Sequence, residues 1–272
     1  MNWSRVKSIL IIFLLITNSA LFGVLLESDS NLYSIDPDTL KSAVNILQNA
    51  RISISEDILP KKNPKMSYIE AYNIIEDNDI FAAAMIGADA EYIDGKYISA
   101  AGEVTIQGDM FSVNYTDKNF FDTAEYSDIK KKTRHILDKT GFGDIGGYDI
   151  EVNNTGSIYE VIIKNKPDSK YFFDSWIKIV MTDEYVNSIN GVWFVCGRNI
   201  HRDRIETKSV TGVLIDFMNR YKDNAPMEIT GLSAGYYKGE PDEYHKSFVL
   251  VPVWRIETSN GGEYYMDTRR TE

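Results

Sequence analysis

The spacing of apolar positions changes several times along this chain, and the changes divide it. Ser8–Leu26, SILIIFLLITNSALFGVLL, runs nineteen positions without a charged residue. As a helix it would span roughly 28 Å, close to the ~30 Å hydrocarbon core of a bilayer. Arg5 and Lys7 stand before the run, Glu27 and Asp29 after it. Basic residues stay on the cytoplasmic side of a membrane. The pattern therefore predicts a cytoplasmic tail over 1–7, a single transmembrane helix over 8–26 and an extracellular chain over 27–272, anchored in the cell membrane. A cleaved signal peptide would need a shorter apolar core with paired small residues behind it. Ser19, Ala20 and Gly23 offer no such pair before LLESDS.

The span is not apolar throughout. Ser19 and Gly23 are four apart, Leu15, Ile12 and Ser8 continue their stripe, and Asn18 lies about 100° to one side. Small residues let a second helix approach, and polar ones hydrogen-bond across the contact. Ser8, Ile12, Leu15, Asn18, Ser19 and Gly23 are the predicted partner-binding face. A helix that only tethers also tolerates such mild polarity.

Beyond the span the period shifts to that of amphipathic helices and half-buried strands. Asp36-Pro37 reads as an N-cap followed by proline at the first helical position, and Leu40, Ala43, Val44 and Leu47 follow at helical spacing. The prolines of SEDILPKKNPK end that helix. KMSYIEAYNII reads as a strand, and NDIFAAAMIG as a short helix starting at Asn78 or Asp79 and stopped by Gly87. AEYIDG, KYISAAGEVTIQ and MFSVNYTD are strand-like runs separated by Asp94-Gly95 and Gly108-Asp109, both hairpin signals. A second unit begins near Tyr126 with the helix SDIKKKTRHILDKTGFG, capped by Ser127 and stopped at Gly141. Strands GYDIEVN, SIYEVIIKN, YFFDSWIKIVMT and VWFVCGRNI follow, with a turn at Asn154-Thr155-Gly156. VTGVLIDFMNRYK places Val210, Val213, Leu214 and Phe217 on one helical face. MEITGLSAGYYKG, KSFVLVPVWRIET and GEYYMDT are closing strands, the last two joined by turn residues Ser259–Gly262. The fold class this predicts is α+β: antiparallel sheets with helices packed on one face, in two extracytoplasmic domains over 27–120 and 121–272.

Charge narrows the partners. Residues 27–272 hold 27 Lys and Arg against 40 Asp and Glu, a formal charge of −13. Such a surface argues against nucleic acid and anionic lipid or polymer ligands and suits a protein-facing module. The single cysteine, Cys196, excludes an intramolecular disulfide and sits in the apolar run VWFVC, where a small buried hydrophobe is expected.

Several motifs imitate chemistry. Gly141-Phe-Gly143-Asp-Ile-Gly146 has the glycine spacing of a dinucleotide loop, but it follows a helix and precedes a strand, the reverse of the order that loop needs. His201-Arg202-Asp203 looks like a kinase catalytic loop, yet Lys208 stands where that pattern wants Asn. His135, His201 and His245 are not at metal-ligand spacing from one another or from Cys196. Asn114-Tyr-Thr116 and Asn153-Asn-Thr155 are sequons by pattern only. No catalytic residue, cofactor or metal is expected, and the chain reads as no enzyme.

Two stretches together carry a family resemblance. MNWSRVKSILIIFLLITN resembles the start of the YycI family, with its Asn-Trp-Ser, basic residues and one membrane helix. YHKSFVLVPVWRIETSNGGEYYMDT resembles that family's final hairpin, a Pro-x-Trp-Arg-Ile strand answered by a Tyr-Tyr strand. The chain departs from the pattern at Asp267–Glu272, where relatives show a Thr-Gly-Glu turn. The resemblance implies a single-pass membrane protein with an ectodomain like the C-terminal domain of YycH and similar to PepSY modules. It implies a regulator acting with YycH on the sensor histidine kinase YycG (WalK), which controls cell-wall metabolism. An anchored PepSY-like inhibitor or ligand-binding module without a kinase partner is the other reading, and an anchored hydrolase a third, for which no catalytic set converges.

Overall fold

A computed structural model describes residues 7, 11–19, 21–22, 33–121, 128–142, 147–197, 207–239 and 247–269. The described chain is a mixed α+β protein dominated by antiparallel strands, with few helices. It divides into two compact units that are discontinuous in sequence. One draws on Met1–Lys65, Thr207–Leu232 and Ile256–Thr268, the other on Met66–Glu206, Ser233–Arg255 and Arg269–Glu272. This differs from the sequential domains expected over 27–120 and 121–272. The reason is pairing across that boundary: Met110–Tyr115 lies beside Val186–Val192 in one sheet.

In the first unit, helix α1 (Pro37–Asn49) starts as its sequence indicates. Asp36 caps it, its carboxylate accepting from the Thr39 backbone N–H at 2.9 Å, and Pro37 needs no partner for the donor it lacks. Ala43 and Leu47 face the interior. Strand β1 (Ile52–Ile54) follows immediately and pairs in parallel with the start of β13 (Met227–Lys238), Ile52 opposite Met227. Helix α4 (Val210–Tyr221), capped by the Ser209 hydroxyl, buries Val210, Val213, Leu214 and Phe217. It packs against α1. Strand β15 (Glu263–Asp267) pairs with β14 (Ser247–Thr258) and brings the Tyr264 ring to 5.2 Å from Phe217 and 4.5 Å from Tyr221.

The second unit is built on an eight-stranded antiparallel sheet. Its strands are β3 (Glu91–Ile93), β4 (Lys96–Ile98), β5 (Gly102–Gln107), β6 (Met110–Tyr115), β7 (Tyr148–Thr155), β8 (Ile158–Asn165), β10 (Trp176–Met181) and β11 (Val186–Val192), in the order β3-β4-β5-β6-β11-β10-β8-β7. Register aligns Val104, Val113, Ile189, Ile179 and Val161 in one row and Phe111, Gly191, Ile177 and Ile163 in the next, all on one face. Helix α2 (Asn78–Ile86) adds Phe81, Met85 and Ile86 to that face, and α3 (Ile129–Lys139) adds Ile136 and Leu137. Each large side chain withdrawn from water here stabilises the fold by about 1.5–3 kcal/mol. The opposite face carries Gln107, Met110, Val192, Trp176, Lys164 and Asp149 in one cross-strand row, none of them fully buried. A smaller set of strands completes the unit: β2 (Glu70–Asn73), β9 (Tyr171–Phe172), β12 (Phe194–Cys196), the end of β13 and the start of β14. Their core holds Phe172, Phe194, Tyr236, Phe248 and Leu250.

Most turns fall where the residues demand them. Asp94 and Gly95 both have positive φ, as a two-residue type I′ hairpin requires, and Gly108 has φ 60° ahead of Asp109. The turn expected at Asn154-Thr155-Gly156 lies at Gly156-Ser157 instead, because Thr155 still pairs with Ile158. KYISAAGEVTIQ and YFFDSWIKIVMT each break into two strands. Strands β1 and β11 are additional to those expected. Helix α2 starts at Asn78, as its sequence indicates, with Asp77 as its cap, and Asp128 caps α3, one residue beyond the Ser127 expected.

The transmembrane helix expected over 8–26 is described only in part. Residues 11–19, 21 and 22 are helical. Among the described residues no helix is long and apolar enough to cross a membrane. Residues 8–10, 20 and 23–26 lie outside the described set.

Candidate functional site

Two features stand apart from ordinary packing. The first is the N-terminal helical stretch. Ile11, Ile12, Phe13, Leu14, Leu15, Ile16, Leu21 and Phe22 are each 50–68% exposed. Six of these are consecutive, so apolar side chains project in every direction around the helix. Thr17 satisfies its hydroxyl within the same helix, donating to the Phe13 carbonyl at 2.8 Å. Of the predicted face, Ile12, Leu15, Asn18 and Ser19 are described and exposed, while Ser8 and Gly23 lie outside the described residues.

The second feature is a cleft of about 600 Å³ in the second unit, at one end of the opposite sheet face. Met110, Trp176 and Val192 line it from β6, β10 and β11. Gly191 lets β11 come this close to β10, since a Cβ there would strike the Trp176 carbonyl oxygen. The β5–β6 turn delivers Asp109, the β9–β10 turn delivers Phe173 and Asp174, and the end of β13 delivers Tyr237 and Lys238. Gly235 is needed opposite Tyr171, because a Cβ would meet both the Tyr171 carbonyl and the Phe173 ring.

Electrostatics in the cleft are unequal. Asp109 accepts from Asn73 Nδ2 at 2.7 Å through one oxygen and is ion-paired with Lys238 Nζ through the other. The same ammonium lies 5.1 Å from the Phe194 ring centre and 5.3 Å from that of Phe248, within cation–π range. Asp174 accepts the Lys238 backbone N–H at 2.6 Å and the Tyr237 hydroxyl. Burial pushes the Asp174 carboxyl above its ordinary value, against the lowering effect of the Lys238 N–H and charge and of Tyr237. The Asp174 charge in turn raises Tyr237. A second cleft of about 290 Å³ shares Phe173 and Trp176 and is lined further by Lys164, Glu151 and Arg255. Lys164 is ion-paired with Glu151 at 2.7 Å, and the Arg255 guanidinium lies 5.0 Å from the Phe173 ring centre.

The imitation motifs resolve as structure where they are described. Gly141, φ 80°, ends α3: the Phe142 N–H donates to the Leu137 carbonyl at 2.8 Å, as in a Schellman stop, and the buried Phe142 ring stacks on Phe111. Residues 143–146 and the His201-Arg202-Asp203 triplet lie outside the described residues, as does His245. His135 Nε2 is 3.2 Å from the Phe121 carbonyl. Cys196 lies 3.9 Å from Asn165 Nδ2, and burial pushes its thiol up to about 12, which keeps it protonated and a poor nucleophile at neutral pH. Among the described residues no three His, Cys, Asp or Glu side chains stand where they could hold a metal ion.

Sequence reasoning did not find the cleft. The available signal was Phe173-Asp174 within YFFDSW, where an acid interrupts an otherwise apolar run and breaks the strand period. The fold and these two features define an α+β protein with a bare apolar N-terminal helix and a ligand-sized cleft. No family model matches the chain, and no curated protein matches it. Among solved structures, the crystal structure of an uncharacterized protein from Eubacterium rectale ATCC 33656 aligns over 77% of this chain and 85% of that one, at 11% identity and a TM-score of 0.45.

Proposed function

We propose that this chain is a non-enzymatic, membrane-anchored regulator of a sensor histidine kinase of the YycG (WalK) type, acting with a YycH-like partner in the control of cell-wall metabolism. The observation that carries the anchor is the N-terminal helix, whose eight large apolar side chains are 50–68% exposed. Each gains about 1.5–3 kcal/mol on leaving water, and together they rival the roughly 5–15 kcal/mol net stability of a whole domain. Hydrocarbon supplies that environment around the full circumference of a helix. The reading therefore keeps residues 8–26 as the span, with 1–7 cytoplasmic and 27–272 extracellular. Its kinase partner rests on the resemblance of the two chain ends to the YycI family. The stripe Ser8, Ile12, Leu15, Ser19 and Gly23, with Asn18 beside it, is the surface offered to partner helices.

The test is co-purification of the full-length protein from native membranes, beside a variant carrying Asn18→Leu, Ser19→Ile and Gly23→Ile. Recovery of a histidine kinase with the parent chain, and its loss with a variant that inserts at normal level, is the expected result. Recovery of no kinase, or equal recovery with both chains, overturns the respective part of the reading. The cleft of the second unit favours an additional reading, that of an anchored module which also binds a small ligand.

A further inference from the structure

We propose that the outer edge of strand β7 is a self-association site, at which a second copy of this chain adds its own β7 antiparallel about a two-fold axis through Val152. This goes beyond the regulator reading and does not rest on it. β7 ends the eight-stranded sheet and pairs with β8 alone among the described strands. The Lys166 N–H donates to the Gly147 carbonyl at 2.8 Å. That pair is therefore hydrogen-bonded, and so is every second pair after it: Asp149 with Lys164, Glu151 with Ile162, Asn153 with Glu160. On the far side of β8 the Asn165 N–H donates to the Ser175 carbonyl, away from β7, as this alternation requires. Ile150, Val152 and Asn154 thus turn both backbone groups outward. The Ile150 N–H reaches the carboxylate of Asp149 beside it, at 3.2 Å. Among the described residues nothing pairs with the outward groups of Val152 and Asn154. Unpaired edge groups are a template for a further strand. The strand at the other end of the sheet, β3, has three residues, too short an edge to hold one.

Charge selects the occupant and its register. Asp149, Glu151, Asn153 and Thr155 stand on one face of β7, while Ile150 and Val152 pack against the core on the other. Like charges directly opposite each other across two strands are destabilising. A two-fold through Glu151 would set that carboxylate against its own copy, and one through Ile150 would set Asp149 against Glu151. A two-fold through Val152 sets Glu151 against Asn153 and Asp149 against Thr155, with no like charges opposed. It also aligns three pairs whose backbone groups face each other: Ile150 with Asn154, Val152 with Val152, and Asn154 with Ile150. Each such pair exchanges two hydrogen bonds. A two-fold moved on to Asn153 keeps only the pairs between Val152 and Asn154. The strand is thus self-complementary, as a two-fold interface requires. Ile150 and Val152, half-buried in one copy, are covered by Asn154 and Val152 of the second copy.

The test is disulfide trapping of the full-length protein in broken cells, so that the result does not depend on where the chain resides. Val152→Cys places two cysteines about 5.5 Å apart across the axis, measured between Cα atoms, within disulfide reach. Mild oxidation should link this variant to itself. The parent should stay unlinked, since Cys196 is half-buried and keeps its proton, and so should Tyr92→Cys, whose site on β3 is 65% exposed. Two further changes are added to Val152→Cys. Asn154→Pro removes an edge donor that the ladder with β8 does not use, and Thr155→Glu sets a carboxylate against Asp149 of the second copy. Each should lower linkage by about fivefold or more with unchanged circular dichroism, whereas Thr155→Lys should preserve it. Linkage of Val152→Cys no higher than that of Tyr92→Cys overturns the site, as does linkage indifferent to both Asn154→Pro and Thr155→Glu. A Val152→Cys product joined to a different protein shows an edge taken by another chain and overturns the self-pairing. Kinase co-purification is measured separately, so failure here leaves that association standing.

Discussion

On folding, the Asp174 carboxylate loses much of its water and gains neutral donors in exchange. Its pKa is raised above 3.8, so protonation favours the folded state. The stabilising contribution is complete below the unfolded value and disappears as pH rises through the folded one. At neutral pH the ionised group is therefore a cost to the fold. Asp174→Asn keeps an acceptor for the Lys238 N–H and removes the charge. Its melting temperature should exceed that of the parent at pH 7, and the gap should close as pH falls toward 4. A lower melting temperature at pH 7 would mean that the charge strengthens the hydrogen bonds from Lys238 and Tyr237 by more than burial costs. Asp149 runs the opposite way: the Tyr171 hydroxyl and the Lys166 charge lower its pKa, so its contribution is present above 3.8 and is lost in acid.

Elements differ in how openly the sequence declares them. Helix α1 was legible because cap, period and buried face agree from Asp36 to Leu47, and α4 because period and buried face agree from Val210 to Phe217. The hairpins at Asp94-Gly95 and Gly108-Asp109 were legible because a two-residue turn needs those residue types. Strand β11 was not. Its sequence VNSINGV contains Asn, Ser and Gly, and only the neighbours on both sides make a strand of it. Strand β1 has three residues, too few for a period, and exists because Ile52 and Ile54 meet β13. The cleft was hidden for a related reason: its walls come from strands β6, β10 and β11, two turns and the end of β13, and their meeting depends on register that no local pattern fixes. Strand β14 shows how sequence and structure combine. Phe248, Leu250, Trp254 and Ile256 alternate into the interior, and Val253 is buried on the other side. Trp254 is 3% exposed. Trp254→Ala should destabilise the protein by roughly 3–5 kcal/mol in denaturant unfolding. An unchanged midpoint would show that Trp254 has no packing role.

For the molecule as a whole, the proposed topology is the statement on which the functional reading depends. A phosphatase that works only after export, fused behind Glu272, should be active when the chain is intact. An inactive fusion on a stable chain would place residues 27–272 in the cytoplasm and remove the regulator reading with them. The acidic balance of those residues, −13, predicts that such an exported chain keeps away from anionic lipid and polymer surfaces and meets its partners through local contacts.

The interleaving of the two units has a consequence for synthesis. Ile52 pairs with Met227, about 175 residues later. A ribosome adding roughly 5–20 residues per second would leave α1 and β1 waiting some 10–35 s for their partner strand. The eight-stranded sheet of the second unit needs nothing beyond β11, so it can close in that interval. The elements that emerge early in the first unit thus wait longest for their partner strand, and Leu47, Ile52 and Ile54, buried in the folded unit, are the surface a chaperone would have to shield meanwhile.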